Sequence, residues 1–241
     1  MIVRNLSKRF GSEAEVLSGI SFQVDQGEFV AIIGSSGSGK STLLRCLSLQ
    51  ETWTEGEYIY EGRDITKLNP LEKFKVRKNW AFLEEKPNVN MRTTAQKNVW
   101  TGRWKQTPLW RLVTRRAAMD EHVMAADYLE KVGLLDKGDE KVEKLSGGEQ
   151  QRVALAKALV QEAQVIFADE PVRGLDPASS ERVMEDLRKT AKRDNVTIIC
   201  CLHKLELAER YATRIMGLSG GKIVLDIPAR RLTLREKDMI L

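Results

Sequence analysis

Cysteine and histidine are scarce in this 241-residue chain, with three of the first and two of the second. Cys46, Cys200 and Cys201 cannot build a disulfide framework. The last two are neighbours in an apolar run, where cysteine serves as a small buried hydrophobe. With only His122 and His203 available, a His/Cys zinc centre has almost no ligands to draw on. The 17 glycines and 6 prolines follow no repeat, which excludes collagen-like and low-complexity architectures. No apolar run approaches the ~20 residues that span a bilayer. The first residues, Met1 to Leu6, lack the apolar stretch and cleavage site of a signal peptide. A cytosolic protein, or one held at a membrane by a partner, is expected. Excess charge is scarce too: 39 Lys+Arg against 34 Asp+Glu leave +5, too little to argue for nucleic acid.

What is present is ordinary for a folded protein. Hydrophobic residues make up 42% of the chain, enough to offset the entropy of ordering it, so disorder is excluded. The length suits one large domain or two small ones. Short apolar/polar alternation at Ile2–Arg4 and Val16–Val24 reads as β-structure. After the turn Asp25-Gln-Gly27, the run Phe29–Ile33 reads as a strand covered on both faces. Ser41–Leu47 then has helical spacing. From about 86 to 155 long helical patterns such as Ala117–Val132 replace the alternation, which predicts a helical insert. The core resumes with a buried strand at Gln164–Ala168, a helix around Glu181–Ala191 and a strand at Val196–Leu202. Arg214–Leu218 and Lys222–Asp226 bracket a Gly220-Gly221 hairpin turn. Strands alternating with helices imply an α/β fold with a mainly parallel sheet.

Three constellations carry chemistry. Gly34-Ser35-Ser36-Gly37-Ser38-Gly39-Lys40-Ser41 fits the P-loop pattern and stands between a predicted strand and helix, as that motif requires. Its glycines let backbone N–H groups close around phosphate oxygens, helped by the positive end of the following helix. Lys40 then reaches the β- and γ-phosphates, and Ser41 ligates Mg²⁺. The apolar run Val165–Ala168 ends in Asp169 and Glu170. Beside a P-loop, two such acids can divide the work, Asp169 toward the metal and Glu170 polarising the attacking water. Leu145-Ser-Gly-Gly-Glu-Gln150 is a second glycine turn at a helix start, and hence a second anion-binding nest. One chain thus holds two phosphate-binding elements but a single P-loop. The simplest resolution is that the second faces a phosphate bound by another copy.

With these motifs in order, nearly the whole chain resembles the nucleotide-binding subunit of an ABC (ATP-binding cassette) transporter. The resemblance implies an ABC-type P-loop NTPase fold in a single domain, 1–241, that binds and hydrolyses ATP with Mg²⁺. Its core and N-terminal antiparallel β subdomain would take residues about 1–85 and 156–241, its helical subdomain about 86–155. Phe10 matches the aromatic that stacks on adenine, with Val16 adding apolar contact. Gly34 to Thr42 match the Walker A loop, Asp169 the Walker B aspartate and Glu170 the catalytic carboxylate. Ser146, Gly147 and Gly148 match the signature that clasps the opposite subunit's γ-phosphate. Leu175-Asp176 matches the D-loop, and His203 the switch histidine.

One position departs from the family. Where it has Phe-Gln, with the Gln touching metal and water, this chain reads Ala81-Phe-Leu-Glu84-Glu85-Lys86. Glu84 is the natural counterpart, as a catalytic and metal residue, although spacing from Asn98-Val99 suits Glu85. A glutamate keeps an oxygen for the metal but loses the amide donor. Within the family, Asn98–Arg111 and the tail Ala212–Val224 resemble the phosphonate-importer ATPases. The implied setting is the cytoplasmic face of the inner membrane. The implied partners are a second copy, integral membrane permease subunits and, through the complex, an extracytoplasmic solute-binding protein, with no nucleic acid. Importers of polar amino acids or phosphate share the core motifs, as do soluble ABC ATPases. The basic stretch with Arg103, Lys105, Arg111, Arg115 and Arg116 among Trp104 and Trp110 suits an interface or a solvated helix face over packed aromatics. The resemblance sets the segment from Trp100 to Arg116 near the permease docking surface.

Overall fold

The computed structural model of the chain describes residues 1–11, 15–103 and 115–240. Residues 104–114, which hold Trp104, Lys105, Trp110 and Arg111, lie outside them, as do the side chains of Arg115 and Arg116. The strands are β1 (Ile2–Arg9), β2 (Glu15–Gln23), β3 (Phe29–Ile33), β4 (Glu55–Tyr60), β5 (Arg63–Asp64), β6 (Trp80–Leu83), β7 (Val165–Asp169), β8 (Thr197–Leu202), β9 (Arg214–Ser219) and β10 (Lys222–Pro228). The helices are α1 (Lys40–Leu47), α2 (Pro70–Arg77), α3 (Ala95–Gly102), α4 (Arg115–Lys131), α5 (Gly147–Leu159), α6 (Pro177–Asp194), α7 (Leu205–Tyr211) and α8 (Leu234–Ile240).

Two sheets form. The smaller is antiparallel in the order β2-β1-β4-β5, and the larger runs β10-β9-β3-β8-β7-β6. In the larger sheet β3 pairs parallel to both β8 and β9, and β7 parallel to both β6 and β8; only β10 is antiparallel, closing its hairpin with β9. The continuous apolar run of β3 has its reason in two-sided burial. Phe29, Ala31 and Ile33 face a core shared with α5 and α6, while Val30 and Ile32 face a second core shared with α1 and the small sheet. β8 divides the same way, with Cys200 in the first core and Cys201 in the second. Burial of their thiols pushes both far above the usual range, so neither is a reactive thiolate.

Trp80 at the start of β6 ties the two sheets together. It meets Tyr60 edge-on with ring centroids 5.0 Å apart and Phe167 of β7 at 5.3 Å. Beyond β6, Asn98 of α3 is buried and donates to the carbonyls of Asn90 and Thr94, which orders the loop that follows Glu84 and Glu85. Parallel strands covered on both faces leave their carboxyl ends as the place for a ligand, and the chemistry of this chain gathers there.

Candidate active site

β3 ends at Ile33 and α1 begins at Lys40, so the glycine loop is the turn between a buried strand and a helix N-terminus. Gly37 and Gly39 take φ of +80° and +101°, the left-handed region that glycine adopts without a Cβ penalty. Gly34 is glycine for space: a Cβ there would lie 2.2 Å from the carbonyl oxygen of Leu218. Lys40 is 5% exposed and donates to the carbonyls of Gly34 and Ser35, at 2.8 and 2.9 Å, which folds the ammonium over the loop. The Ser38 hydroxyl oxygen is buried there without a hydrogen-bond partner among the described residues. A buried donor left unpaired beside a ring of amides suits a ligand rich in acceptors, such as a phosphate chain.

Asp169 closes β7, and Ser41 Oγ donates to its Oδ1 at 3.1 Å. Burial pushes the Asp169 carboxyl up, the Ser41 hydrogen bond opposes this, and Glu170 adds to the rise against the cations of Arg45 and Lys40. Hydroxyl and carboxylate oxygens at this spacing fit a hard divalent cation such as Mg²⁺. Glu170 follows with φ +50°, a strained value for a non-glycine residue, held by its N–H donating to the Cys201 carbonyl across the sheet. Its Oε1 stands 2.6 Å from Nε2 of His203, the first residue after β8. Such a contact calls for a proton on Nε2 if Glu170 is ionised. The carboxyl ends of β3, β7 and β8 thus bring Lys40, Ser41, Asp169, Glu170 and His203 together.

Glu84, just past β6, is exposed and shares a 470 Å³ cavity with Asp169, Arg45 and Glu85. Its carboxylate has no ion-pair partner among the described residues; its backbone carbonyl accepts from Gln151 Nε2 of α5 at 3.1 Å. Glu85 instead pairs with Arg173 at 3.2 Å. Phe10, 40% exposed just after β1, has Lys8 Nζ 4.5 Å above its ring. Val16 lies in β2, and its carbonyl crowds the place of a Cβ on Gly39 at 3.1 Å, which binds the small sheet to the loop.

The second glycine turn is built differently. Ser146 caps α5 in a capping box, accepting from the Glu149 N–H while Glu149 Oε2 accepts from the Ser146 N–H. Burial raises the Glu149 carboxyl, but Lys137 and the Ser146 hydrogen bonds outweigh it and bring it down to about 2. Gly148 leaves no room for a Cβ, which would fall 2.6 Å from Cβ of Ser179. Asp176 caps α6 by accepting from the Ser179 N–H at 3.0 Å, so the Asp176 turn and the Ser146 turn form one packed corner. Among the described residues, no hydrogen bond or ion pair joins Ser146, Gly147 or Gly148 to residues 34–42.

A family model described as ABC transporter matches residues 17–173. The chain belongs to the ABC transporter family. Phosphonates import ATP-binding proteins PhnC of two Staphylococcus aureus strains are 40% and 39% identical over 230 residues, covering 95% of this chain and 90% of each relative. Among solved structures, the ATP-binding cassette MJ0796, crystallised as a dimer in a post-hydrolysis state with ADP and phosphate, is 29% identical with a TM-score of 0.81. The match covers 96% of this chain and 99% of that one. Part of the ABC transporter complex cbiONQ, cbiO1 from Clostridium perfringens, has a TM-score of 0.85 over 95% of this chain and 88% of its own; at 23% identity it supports the fold alone. As an ABC cassette the chain is an ATPase, and no described helix is long and apolar enough to cross a membrane.

Reading the sequence missed three residues of this site. Arg45, Gln151 and Arg173 reach it from positions with no local signature, and only the packing of distant segments reveals them.

Proposed function

We propose that the chain is the ATPase subunit of an importer for phosphonates or related phosphorus oxyanions, acting as a head-to-tail pair on the cytoplasmic face of the inner membrane. The cargo rests on one observation: 40% identity along 95% of the chain to a phosphonates import protein. The pairing rests on the separation of the two glycine turns, since a P-loop and a signature turn that do not meet within one chain complete a site only between two. In each composite site the amides of residues 34–39 and Lys40 would hold the phosphates, and Phe10 with Val16 the adenine. Thr42 would add its N–H at the start of α1. Ser41 and Asp169, with Glu84 as a further oxygen, would hold Mg²⁺, which supplies charge neutralisation along the phosphate chain when bound.

Glu170 then acts as the catalytic carboxylate. It accepts a hydrogen bond from water in line with the γ-phosphorus; water's oxygen bonds to phosphorus as the bond to the ADP oxygen breaks, the water's proton passes to the Glu170 carboxylate and on to the released phosphate, and the products are ADP and inorganic phosphate. His203 fixes Glu170 through Oε1 and turns toward the γ-phosphate on closure. Ser146, Gly147 and Gly148 of the second copy would cover that phosphate, and Asp176 would tie the two sites together.

Permease subunits would dock at the 750 Å³ groove bordered by Phe74, Trp80, Phe82, Glu84, Gly102 and Lys157. Thr101 and Gly102 of α3 line it, between Trp100, half-buried against the first core, and Arg103, which caps α3. A solute-binding protein would deliver cargo on the far side. Reconstitution with the permease and binding protein expressed from neighbouring genes tests the reading. ATPase stimulation by a phosphonate is expected; stimulation by an amino acid, with none by any phosphorus oxyanion, would overturn the cargo.

A further inference from the structure

Arg173 stands between two carboxylates, one three residues before it and the other 88 positions away. Its Nη1 donates to Glu85 Oε2 at 3.2 Å and lies 3.3 Å from Glu170 Oε2. The two acids differ in setting. The Glu85 side chain is 47% exposed, whereas that of Glu170 is 12% exposed. Glu170 Oε2 is also buried without a hydrogen bond, so the guanidinium holds it by charge alone. The other oxygen, Oε1, is taken by His203. Arg173 reaches back this way because a turn brings its own N–H onto the Glu170 carbonyl at 3.0 Å. The arginine is itself largely in solvent, and exposed ion pairs add little to stability. Its value must be sought in where it holds the buried acid.

We infer that Arg173 is a positioning residue that ties the loop after β6 to the catalytic carboxylate, so that movement of Glu85 is felt at Glu170 Oε2. The inference rests on Glu170 having the role proposed above. The loop in question is anchored on its other side to α5, through Gln151 Nε2 on the Glu84 carbonyl. A contiguous run of contacts therefore leads from the helix that begins at Ser146, through Glu84 and Glu85, to Arg173 and Glu170. When α5 shifts relative to the strands, Glu85 draws on the guanidinium, and Oε2 gains or loses the cation beside it. One nitrogen shared by two acids makes the two contacts exchangeable, which a pair of separate donors would not allow.

The proposal needs evidence of coupling rather than of proximity. Basal ATP turnover of the full purified chain is measured for Arg173→Ala, Arg173→Lys, Glu85→Gln and the double variant Arg173→Ala/Glu85→Gln, with Glu170→Gln alongside. For Arg173→Ala, kcat should fall about tenfold with the KM for ATP unchanged, as expected when a reacting group is displaced rather than a ligand contact removed. Arg173→Lys should recover part of the loss. Glu85→Gln should give a smaller change, and the double variant should be no worse than Arg173→Ala, because the Glu85 effect passes through the arginine. Wild-type kcat in Arg173→Ala, no recovery by lysine, or strictly additive losses would each overturn it. An inactive Glu170→Gln beside a normal Arg173→Ala removes this inference alone; an active Glu170→Gln removes the reading of Glu170 beneath it.

Discussion

Two glycine turns open helices in this molecule, and they are furnished in opposite ways. The turn before α1 is surrounded by chemistry: Lys40 over the loop, Ser41 on Asp169, Glu170 on His203. The turn before α5 has its own cap, Ser146 and Glu149 with Lys137 on Glu149, and close packing of Gly148 on Ser179. Both offer amides and a helix dipole to an anion. At the second, the nearby acids are already engaged, Glu149 by Lys137 and the Ser146 amide and Asp176 by the Ser179 N–H. The difference fits the proposed head-to-tail pairing, in which the bare turn of one copy would cover the furnished turn of the other.

The largest effect should come from disabling the furnished turn. Glu170→Gln keeps shape and hydrogen-bonding capacity but removes the charge that orients water. Turnover should drop by about 10²–10⁴-fold, the span typical for a lost acid–base group. ATP binding should persist, and an ATP-dependent dimer should accumulate on size-exclusion chromatography. Retained turnover would mean the two turns differ in some way other than the one drawn here.

Breaking the bare turn should cost less and reveal the pairing. Ser146→Asp keeps an N-cap acceptor but loses the Ser146 Oγ donor to Glu149 Oε2 and sets two carboxylates side by side, so a stability loss of about 1 kcal/mol is expected, while in the proposed pair its carboxylate would face the phosphate of the other copy. Hydrolysis should fall about 100-fold, an electrostatic loss of the size seen when one transition-state donor is removed. Nucleotide affinity of the single chain should not change. Mixing this variant with Lys40→Ala should restore activity, because one of the two sites in each mixed pair is intact. Random pairing caps the recovery at about a quarter of wild type. No recovery would argue against head-to-tail sharing.

How legible this contrast is in the sequence depends on where the information sits. The β3 run and its loop are readable because two-sided burial demands an unbroken apolar stretch and the phosphate nest demands glycine at particular places. Asp169, Glu170 and His203 are adjacent in sequence to buried strands and share that clarity. α2 is another matter. Asn69 and Glu72 form a capping box around Pro70, yet none of its residues is buried, and Leu71 and Phe74 face outward, so no apolar periodicity announces it. β4 begins Glu-Gly-Glu, with only Tyr58 fully buried, and reads as loop. Glu85 and Arg173 are 88 positions apart, and no local pattern joins them. Local demands on the backbone are written in the sequence; charge pairs between distant loops are settled by packing.

The loop after β6 sharpens the contrast further. Glu84 adds a carboxylate to the furnished side, in the cavity that also meets Asp169. If its oxygen helps hold Mg²⁺, Glu84→Gln should raise the Mg²⁺ needed for half-maximal turnover about two- to fivefold, a modest Coulomb loss at a partly solvated site. The rate stimulated by transport should change more than basal ATP affinity. Glu85→Gln should leave the Mg²⁺ dependence alone, since its carboxylate faces Arg173. Equal behaviour of the two variants would remove the distinction between them.

The smallest effect concerns how the bare turn is mounted. α5 and α6 carry it between them, and Asp186 of α6 lies in a 630 Å³ cavity with Arg152 of α5. Burial pushes the Asp186 carboxyl from its ordinary 3.8 up to about 6, against the pull of Arg152 and Lys189. For an acid raised on folding, the native state favours the protonated form. The penalty is absent below about pH 4, grows between the unfolded and folded values, and is constant above about pH 6. A two-unit rise corresponds to nearly 3 kcal/mol at most; partial exposure reduces the useful figure to about 1 kcal/mol. Asp186→Asn should therefore raise the Tm by about 2–4 °C at pH 7.5 and by nothing near pH 4. Arg152 keeps its hydrogen bond to the Val132 carbonyl at 2.8 Å in either case, so the variant does not strand that cation. A lower Tm at pH 7.5 would show that the attraction of Arg152 exceeds the burial term, and that the α5–α6 corner is held by this charge pair rather than strained by it.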